Sequence, residues 1–564
     1  MKIVLRIAAA LVVLVVAYVA AAFGIGRVLV SETARFAEAL AVQEGVTVHR
    51  LDYEAGLFNG VLRYELDYIP PPDSLLAVTE WPGVRNARGE MVVRHGPWVG
   101  DGFALAAGNG RAEVPAALRT ALPELTAEQS LLDVALRVQF DRSVRTDFTW
   151  LEHDGPLQLS GDSGMRGTAQ LKGASGWAQF DADLNWLDFN YGVEAARAEV
   201  TAPIEEAARL AFNGLRVQGE LARTGDAWTG TLNTALDGFE FGSLEGTLRL
   251  EQLLADAVLG VATTADGPRP SLKGTLALQS FAADTLGERP SSLRVGQVRG
   301  EGDLVEDWPQ LWSGTSSLHA SNVETAAEGL SVRTGRISLE SNATRRGALA
   351  DQTLSFTLGP VQWGQTELGG GRLVLSLKGL DGASLSQFLE VAALNASIPP
   401  QATEQDVHDA MMLAANATFA GTPVLSIDHA GLSVLQADDI RSSLTLSLSA
   451  PTITPVNWLE LPARLNVQGG LTARLDAVNQ LFRLAAEAEH RGQDLDPAAV
   501  RGIGDARYME WLAGMRELPY VTVTADSITS DVGFANDVLT FNGQQVDPML
   551  LLLMLAVFGE ALGT

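Results

Sequence analysis

The sequence predicts a mainly β protein with some α. An N-terminal transmembrane helix should precede a large, elongated antiparallel β-sheet region, with helices mostly towards the C-terminal part. Three observations carry this expectation. An uninterrupted apolar run from Ile7 to Phe23 follows Lys2 and Arg6. Apolar and polar residues then alternate with a period of two for hundreds of residues, the signature of half-buried strands. Glycines such as Gly161, Gly164, Gly167, Gly173 and Gly176 punctuate the runs, and the helix after every strand that a parallel α/β fold requires is missing.

The elements follow in chain order. Ile7 to Ile25 makes a helix of about 28 Å, close to the hydrocarbon thickness of a bilayer, and such a helix satisfies its own backbone hydrogen bonds. Residues 1–30 are therefore expected to form a membrane anchor, or an uncleaved signal, contacting lipid through residues 7–25. The rival reading is a signal peptide cleaved at Ala20-Ala21-Ala22, but the run exceeds the usual apolar region of about 7–15 residues. Lys2 and Arg6 favour a cytoplasmic N-terminus with the main domain across the membrane, in the periplasm.

The apolar run flows through Val28, Leu29 and Val30 into a short helix over Ser31 to Glu44, which Ser31 can cap, with Phe36 and Leu40 one turn apart and Gly45 as its stop. Thr47, His49, Leu51 and Tyr53 then alternate with their neighbours. A turn over Glu54 to Gly60 leads into Leu62, Tyr64, Leu66 and Tyr68 on one face. The same alternation recurs over Leu132 to Phe140, Leu373 to Leu377 and Leu444 to Leu448. This β-rich periplasmic region is expected to span 31–398, ending near Pro399-Pro400, with a C-terminal α+β region over 399–564.

Helical spacing clusters late. It appears at Val407, Ala410, Met411 and Ala414, and again at Val478, Leu481, Phe482, Ala485 and Ala488. Asp496-Pro497 reads as a cap with proline at the first helical position. That helix is expected to break near Gly502-Ile503-Gly504 before a stripe of Tyr508, Trp511, Leu512 and Met515. Asp547-Pro548 should open a last helix, apolar all round from Met549 to Phe558 and so buried in its own domain, in a partner or in lipid; it is too short to span a bilayer. Leu-Lys-Gly recurs at Leu171, Leu272 and Leu377, a weak sign of a repeat.

Composition narrows function. The formal net charge of −28 disfavours nucleic acid as a partner, because an acidic surface repels phosphate. The absence of cysteine excludes disulfides and thiolate chemistry. No phosphate-cradling glycine loop, calcium-loop spacing or paired histidine motif appears, so no catalytic residue, cofactor site or metal site is assigned. The first local motif of interest is Arg94-His95-Gly96-Pro97-Trp98, which ends a strand and turns the chain. His95 could serve as a base or a ligand only with partners the sequence does not supply; the simpler role is a turn histidine that satisfies a backbone carbonyl. Gly161-Asp162-Ser163-Gly164 reads as a glycine turn.

Three local features carry a resemblance beyond the N-terminal run: Tyr53-Glu54-Ala55-Gly56-Leu57-Phe58 between strands, His95-Gly96-Pro97 after a strand, and Val538-Leu539-Thr540-Phe541-Asn542-Gly543 late in the chain. In this order they resemble the YdgA-like bacterial envelope proteins, inner-membrane-anchored proteins of unknown function. The resemblance implies an envelope location. It marks Tyr53, Gly56, Phe58, His95, Gly96, Pro97, Asn542 and Gly543 as motif residues of structural character, and it supplies no catalytic residue. The sequence thus points to a non-enzymatic binding or structural protein, holding an apolar ligand or lipid in a β-sheet groove or meeting an envelope protein partner. Alternatives are an envelope hydrolase using His95 with carboxylates, and a surface protein released after signal cleavage.

Overall fold

The computed structural model describes residues 2–42, 45–69, 84–97, 99, 104–113, 129–158, 166–181, 183–201, 207–225, 227–264, 267–286, 290–309, 311–327, 330–364, 366–395, 422–435, 438–449, 464–490, 493, 495–518, 520–536 and 538–546. In the first helix, side chains are described from Tyr18 onward. Strand makes up 69% of the described residues, against about 20–25% in average soluble domains. The described pairings between strands are antiparallel, the arrangement that commonly leaves one face of a sheet wet and so gives a period-two alternation. The chain divides into two compact units, Met1–Thr263 with Leu272–Gly287, and Thr264–Ser271 with Glu288–Thr564.

In the first unit, helix α1 (Lys2–Ala41) precedes a meander of β1 (Val46–Ala55), β2 (Asn59–Tyr68), β3 (Val84–His95), β4 (Ala106–Glu113), β5 (Ser130–Val138) and β6 (Ser143–Trp150). Then come β7 (His153–Gln158), β8 (Arg166–Lys172), β9 (Ser175–Asp181) and the long strand β10 (Trp186–Thr201). Strand β9 joins β6 to the first half of β10, while β8 pairs with its second half. Strands β11 (Ala207–Thr224), β12 (Ala227–Gly242) and β13 (Gly246–Thr264) extend the ladder. The apolar alternation changes parity within these long strands. In β11, Leu210 and Phe212 are even, whereas Leu215, Val217 and Leu221 are odd; Gly214 between them has φ +64. In β13 the change falls at Gln252, with φ +50. A single left-handed residue adds one position to the pleat and resets the alternation.

The second unit continues with β14 (Gly267–Thr285), whose first residues belong to it, then β15 (Ser291–Trp308), β16 (Leu311–Ala327), β17 (Leu330–Arg346) and β18 (Leu349–Leu358). A short hairpin, β19 (Val361–Trp363) with β20 (Thr366–Leu368), leads to β21 (Gly371–Asp381) and helix α2 (Gly382–Asn395). Strands β22 (Val424–Leu432), β23 (Ile440–Leu448) and β24 (Leu465–Arg474) follow, each paired with its predecessor. Helices α3 (Leu475–Glu489) and α4 (Pro497–Glu517) then pack on one another before the last strands, β25 (Thr522–Val523), β26 (Ser527–Ala535), β27 (Val538–Phe541) and β28 (Gln544–Val546). Val478, Tyr508 and Leu512 form the core of this helical pair with Ile528.

Several sequence expectations change. Ser31 does not start a new helix: α1 runs straight through it, and the Ser31 hydroxyl donates to the Val28 carbonyl at 2.8 Å. From Tyr18 the helix lies on the sheet, with Ala22 and Leu29 buried, so the end of the expected anchor is covered by protein on one side. Among the described residues no helix is long and apolar enough to cross a membrane; most of the run from Ile7 lies outside the described side chains. Helix α4 begins at the Asp496-Pro497 cap as expected, Asp496 accepting from the Ala498 amide at 3.2 Å, but does not break at its glycines. Gly504 instead lets α4 approach α3 closely: a Cβ there would lie 2.7 Å from Arg483 Cα. Leu-Lys-Gly falls at a turn, Gly173, in one case and inside β14 in another, so the tripeptides occupy unlike positions. The expected helices at Val407 and Met549, Pro399-Pro400 and the turn at Gly161 lie outside the described residues.

Candidate functional site

The hairpin β1–β2 and the end of β3 bring the first two sequence motifs together against α1. Tyr53 and His95 lie 42 residues apart, yet Tyr53 Oη stands 2.6 Å from His95 Nδ1. His95 Nε2 lies 3.2 Å from the Leu57 carbonyl oxygen. That carbonyl can only accept, so Nε2 carries the ring proton and Nδ1 accepts from the Tyr53 hydroxyl. The imidazole is neutral and 2% exposed. Burial pushes its pKa below the ordinary histidine value, while the carbonyls of Leu57 and Gly56 pull it partly back. Burial also pushes the Tyr53 phenol up to about 12.

The turn between β1 and β2 is closed by its backbone. The Gly56 amide donates to the Asn59 carbonyl at 2.7 Å, and the His95 amide to the Phe58 carbonyl at 2.9 Å. Phe58 stacks on Tyr18 of α1 with ring centres 6.0 Å apart. Gly96, with φ +147, follows His95 beneath the same helix. Two further residues make the arrangement, and sequence reading missed both. A Cβ on Gly26 of α1 would lie 2.8 Å from His95 Nε2, and one on Gly60 of β2 would lie 2.5 Å from the Tyr53 hydroxyl. The only sequence signal at Gly26 is a glycine inside a helical run, which costs about 1 kcal/mol relative to alanine and calls for a packing reason.

One turn further along α1 is an apolar cavity of about 180 Å³. The helix contributes Val28, Leu29 and Phe36; the strands contribute Leu62, Val93, Leu136, Val144 and Phe180. Tyr53 lines it too, so the motif and the cavity share a wall. Phe36 stacks on Phe180 at 5.2 Å. Charged groups stand at the same place: Arg142 pairs with Glu32 at 3.4 Å, and Arg35 bridges Glu32 at 3.3 Å and Asp183 at 2.5 Å. Arg142 has φ +69, in a turn where Asp141 accepts from the Ser143 amide at 2.9 Å.

Asn542 and Gly543 lie in the second unit. With φ +48 and +77 they form the two-residue turn joining β27 to β28. Asn542 Oδ1 accepts from the Asp531 amide at 2.8 Å, and its amide nitrogen donates to the Tyr520 carbonyl at 3.1 Å. The turn holds Leu539 and Phe541 in a small core with Phe534.

Chemically, the first-unit site offers an apolar enclosure and a neutral histidine whose ring nitrogens are both engaged. Among the described residues no group of His, Cys, Asp and Glu is placed to hold a metal ion. No curated protein matches the chain. One bacterial family does match, over residues 1–287 and again over 261–549, and the chain belongs to that family of bacterial proteins of unknown function, DUF945.

Proposed function

We propose that this protein is a membrane-tethered envelope protein that binds an apolar ligand or the acyl part of a lipid, without catalysing a reaction. The observation that carries this reading is the cavity between α1 and the sheet, about 180 Å³ and walled almost wholly by hydrocarbon side chains. An apolar cavity of about 150 Å³ in another protein stays dry and binds benzene, so this one can take a short stretch of alkyl chain. The charged residues Glu32, Arg35 and Arg142 beside it suit a ligand with a polar head.

The tether is the run Ile7–Ile25 behind Lys2 and Arg6, which argues for an inner-membrane anchor with the N-terminus in the cytoplasm and the folded units in the periplasm. Resemblance to the YdgA-like envelope proteins supports the same location. A hydrolase built on His95 gains no support, because a phenol and a carbonyl already occupy its ring nitrogens.

The test is extraction of the full chain in mild detergent, with mass spectrometry of co-purifying small molecules and titration with N-phenyl-1-naphthylamine. Bound lipid or saturable probe binding is expected, and Leu136→Trp should abolish it by filling the cavity. Absence of any bound amphiphile, or probe binding indifferent to Leu136→Trp, would remove the basis of the reading.

A further inference from the structure

We infer that the tip of the β1–β2 hairpin is a bilayer-contacting surface, which seats the first unit on the membrane at a fixed depth. The inference rests on the anchor reading above. Its starting point is length. The helix rises about 1.5 Å per residue, so residues 7–17 reach only about 16 Å beyond Tyr18, roughly half of a hydrocarbon core of about 30 Å. If α1 crosses the bilayer, Tyr18 to Ile25 must supply the remaining depth. That stretch is the one covered on one side by protein: Phe58 stacks on Tyr18, and Gly96 and His95 lie against Ala22 and Gly26. The hairpin tip therefore lies level with the last turns of the apolar run.

The tip is built for that depth. Leu57 and Phe58 are 47% and 42% exposed, and Phe23 of the adjoining helix is 53% exposed. Lipid tolerates backbone only where its polar groups are paired internally. The carbonyls of the tip meet this requirement: Leu57 accepts from His95 Nε2, Phe58 from the His95 amide, and Asn59 from the Gly56 amide. His95 thus has a specific task, since it supplies two of these three bonds and stays neutral while doing so. Ion pairs begin behind the tip, where Arg63 meets Glu54 at 2.9 Å and Glu90 at 3.7 Å. On the helix, Arg27 lies over the Phe23 ring at 5.4 Å, the arrangement of a residue at the lipid–water boundary.

The chain has no cysteine, so single cysteines can report depth without background. Full-length Leu57→Cys, Phe58→Cys, Val13→Cys and Glu245→Cys variants would carry a nitroxide in vesicles of phosphatidylethanolamine and phosphatidylglycerol. Power saturation would compare collision with oxygen, which concentrates in lipid, against collision with a water-soluble nickel chelate. Oxygen-dominated collision is expected at Val13 and Leu57, at a shallower depth for Leu57, with nickel-dominated collision at Glu245. Phe58 should follow Leu57, but because it stacks on Tyr18 the Leu57 label decides. Lipid at Val13 with water at Leu57 would overturn the seating surface and leave the anchor standing. Water at both positions would overturn the anchor itself and the seating surface with it.

Discussion

Replacing Tyr53 by phenylalanine deletes one oxygen and leaves the ring, which packs with Leu29, Met91 and Val93, in place. The lost atom is the donor to His95 Nδ1 at 2.6 Å. Nδ1 then has no partner in a side chain that is 2% exposed, and an unsatisfied buried acceptor costs about 1–3 kcal/mol. At about 2–4 °C per kcal/mol for a domain of this size, the melting temperature should fall by roughly 2–12 °C. The same deletion made in a His95→Leu background should cost less, because leucine has no acceptor to orphan. The Leu57 carbonyl loses its side-chain donor in both proteins of that background, so this cost cancels in the comparison. Thermal and urea unfolding of the four proteins gives a double-mutant cycle, with an expected coupling of about 0.5–3 kcal/mol. An unchanged midpoint for Tyr53→Phe, or a coupling near zero, would refute the claim that this hydrogen bond holds the motif together.

Other outcomes follow from the same geometry. His95 has a folded-state pKa below about 6.5, so the unfolded chain binds the extra proton first as pH falls. The His95 contribution to stability should therefore be flat above about pH 6.5 and decline below it, by at most about 1.4 kcal/mol per pH unit, and His95→Gln should remove that part of the slope in urea titrations. His49, whose pKa is raised by its hydrogen bond to Asp67, acts in the opposite sense, but it is common to both proteins being compared. Gly26→Ala should lower the melting temperature relative to Gly24→Ala: a Cβ at Gly24 meets nothing, whereas one at Gly26 strikes His95, an overpacking cost of about 1–3 kcal/mol. Equal melting temperatures would contradict the close approach of α1. Gly543→Ala meets no atom either, so only its left-handed φ of +77 opposes it, and a loss of about 1–2 kcal/mol is expected by hydrogen exchange in β27 and β28.

The strand architecture is legible from neighbours along the chain, because a period of two is a local property: Leu373 to Leu377 and Leu444 to Leu448 lie within β21 and β23. The start of α4 is legible too, since a cap such as Asp496-Pro497 acts within one turn. Local signals failed where a distant surface decided. Ser31 has the chemistry of a cap, but α1 continues past it, with Leu29 buried before it and Phe36 stacked on Phe180 after it. Gly502 and Gly504 look like a break, yet α4 stays whole because packing on α3 uses the absent side chain of Gly504. Motif residues could be named from the sequence, but not their meeting. Tyr53 reaches His95 only through the pairing of β1 with β2 and β2 with β3, and the Gly26 contact needs α1 laid across that sheet. The apolar cavity is likewise a property of the gap between helix and sheet, a volume bounded by residues from 28 to 180 that no window along the chain contains.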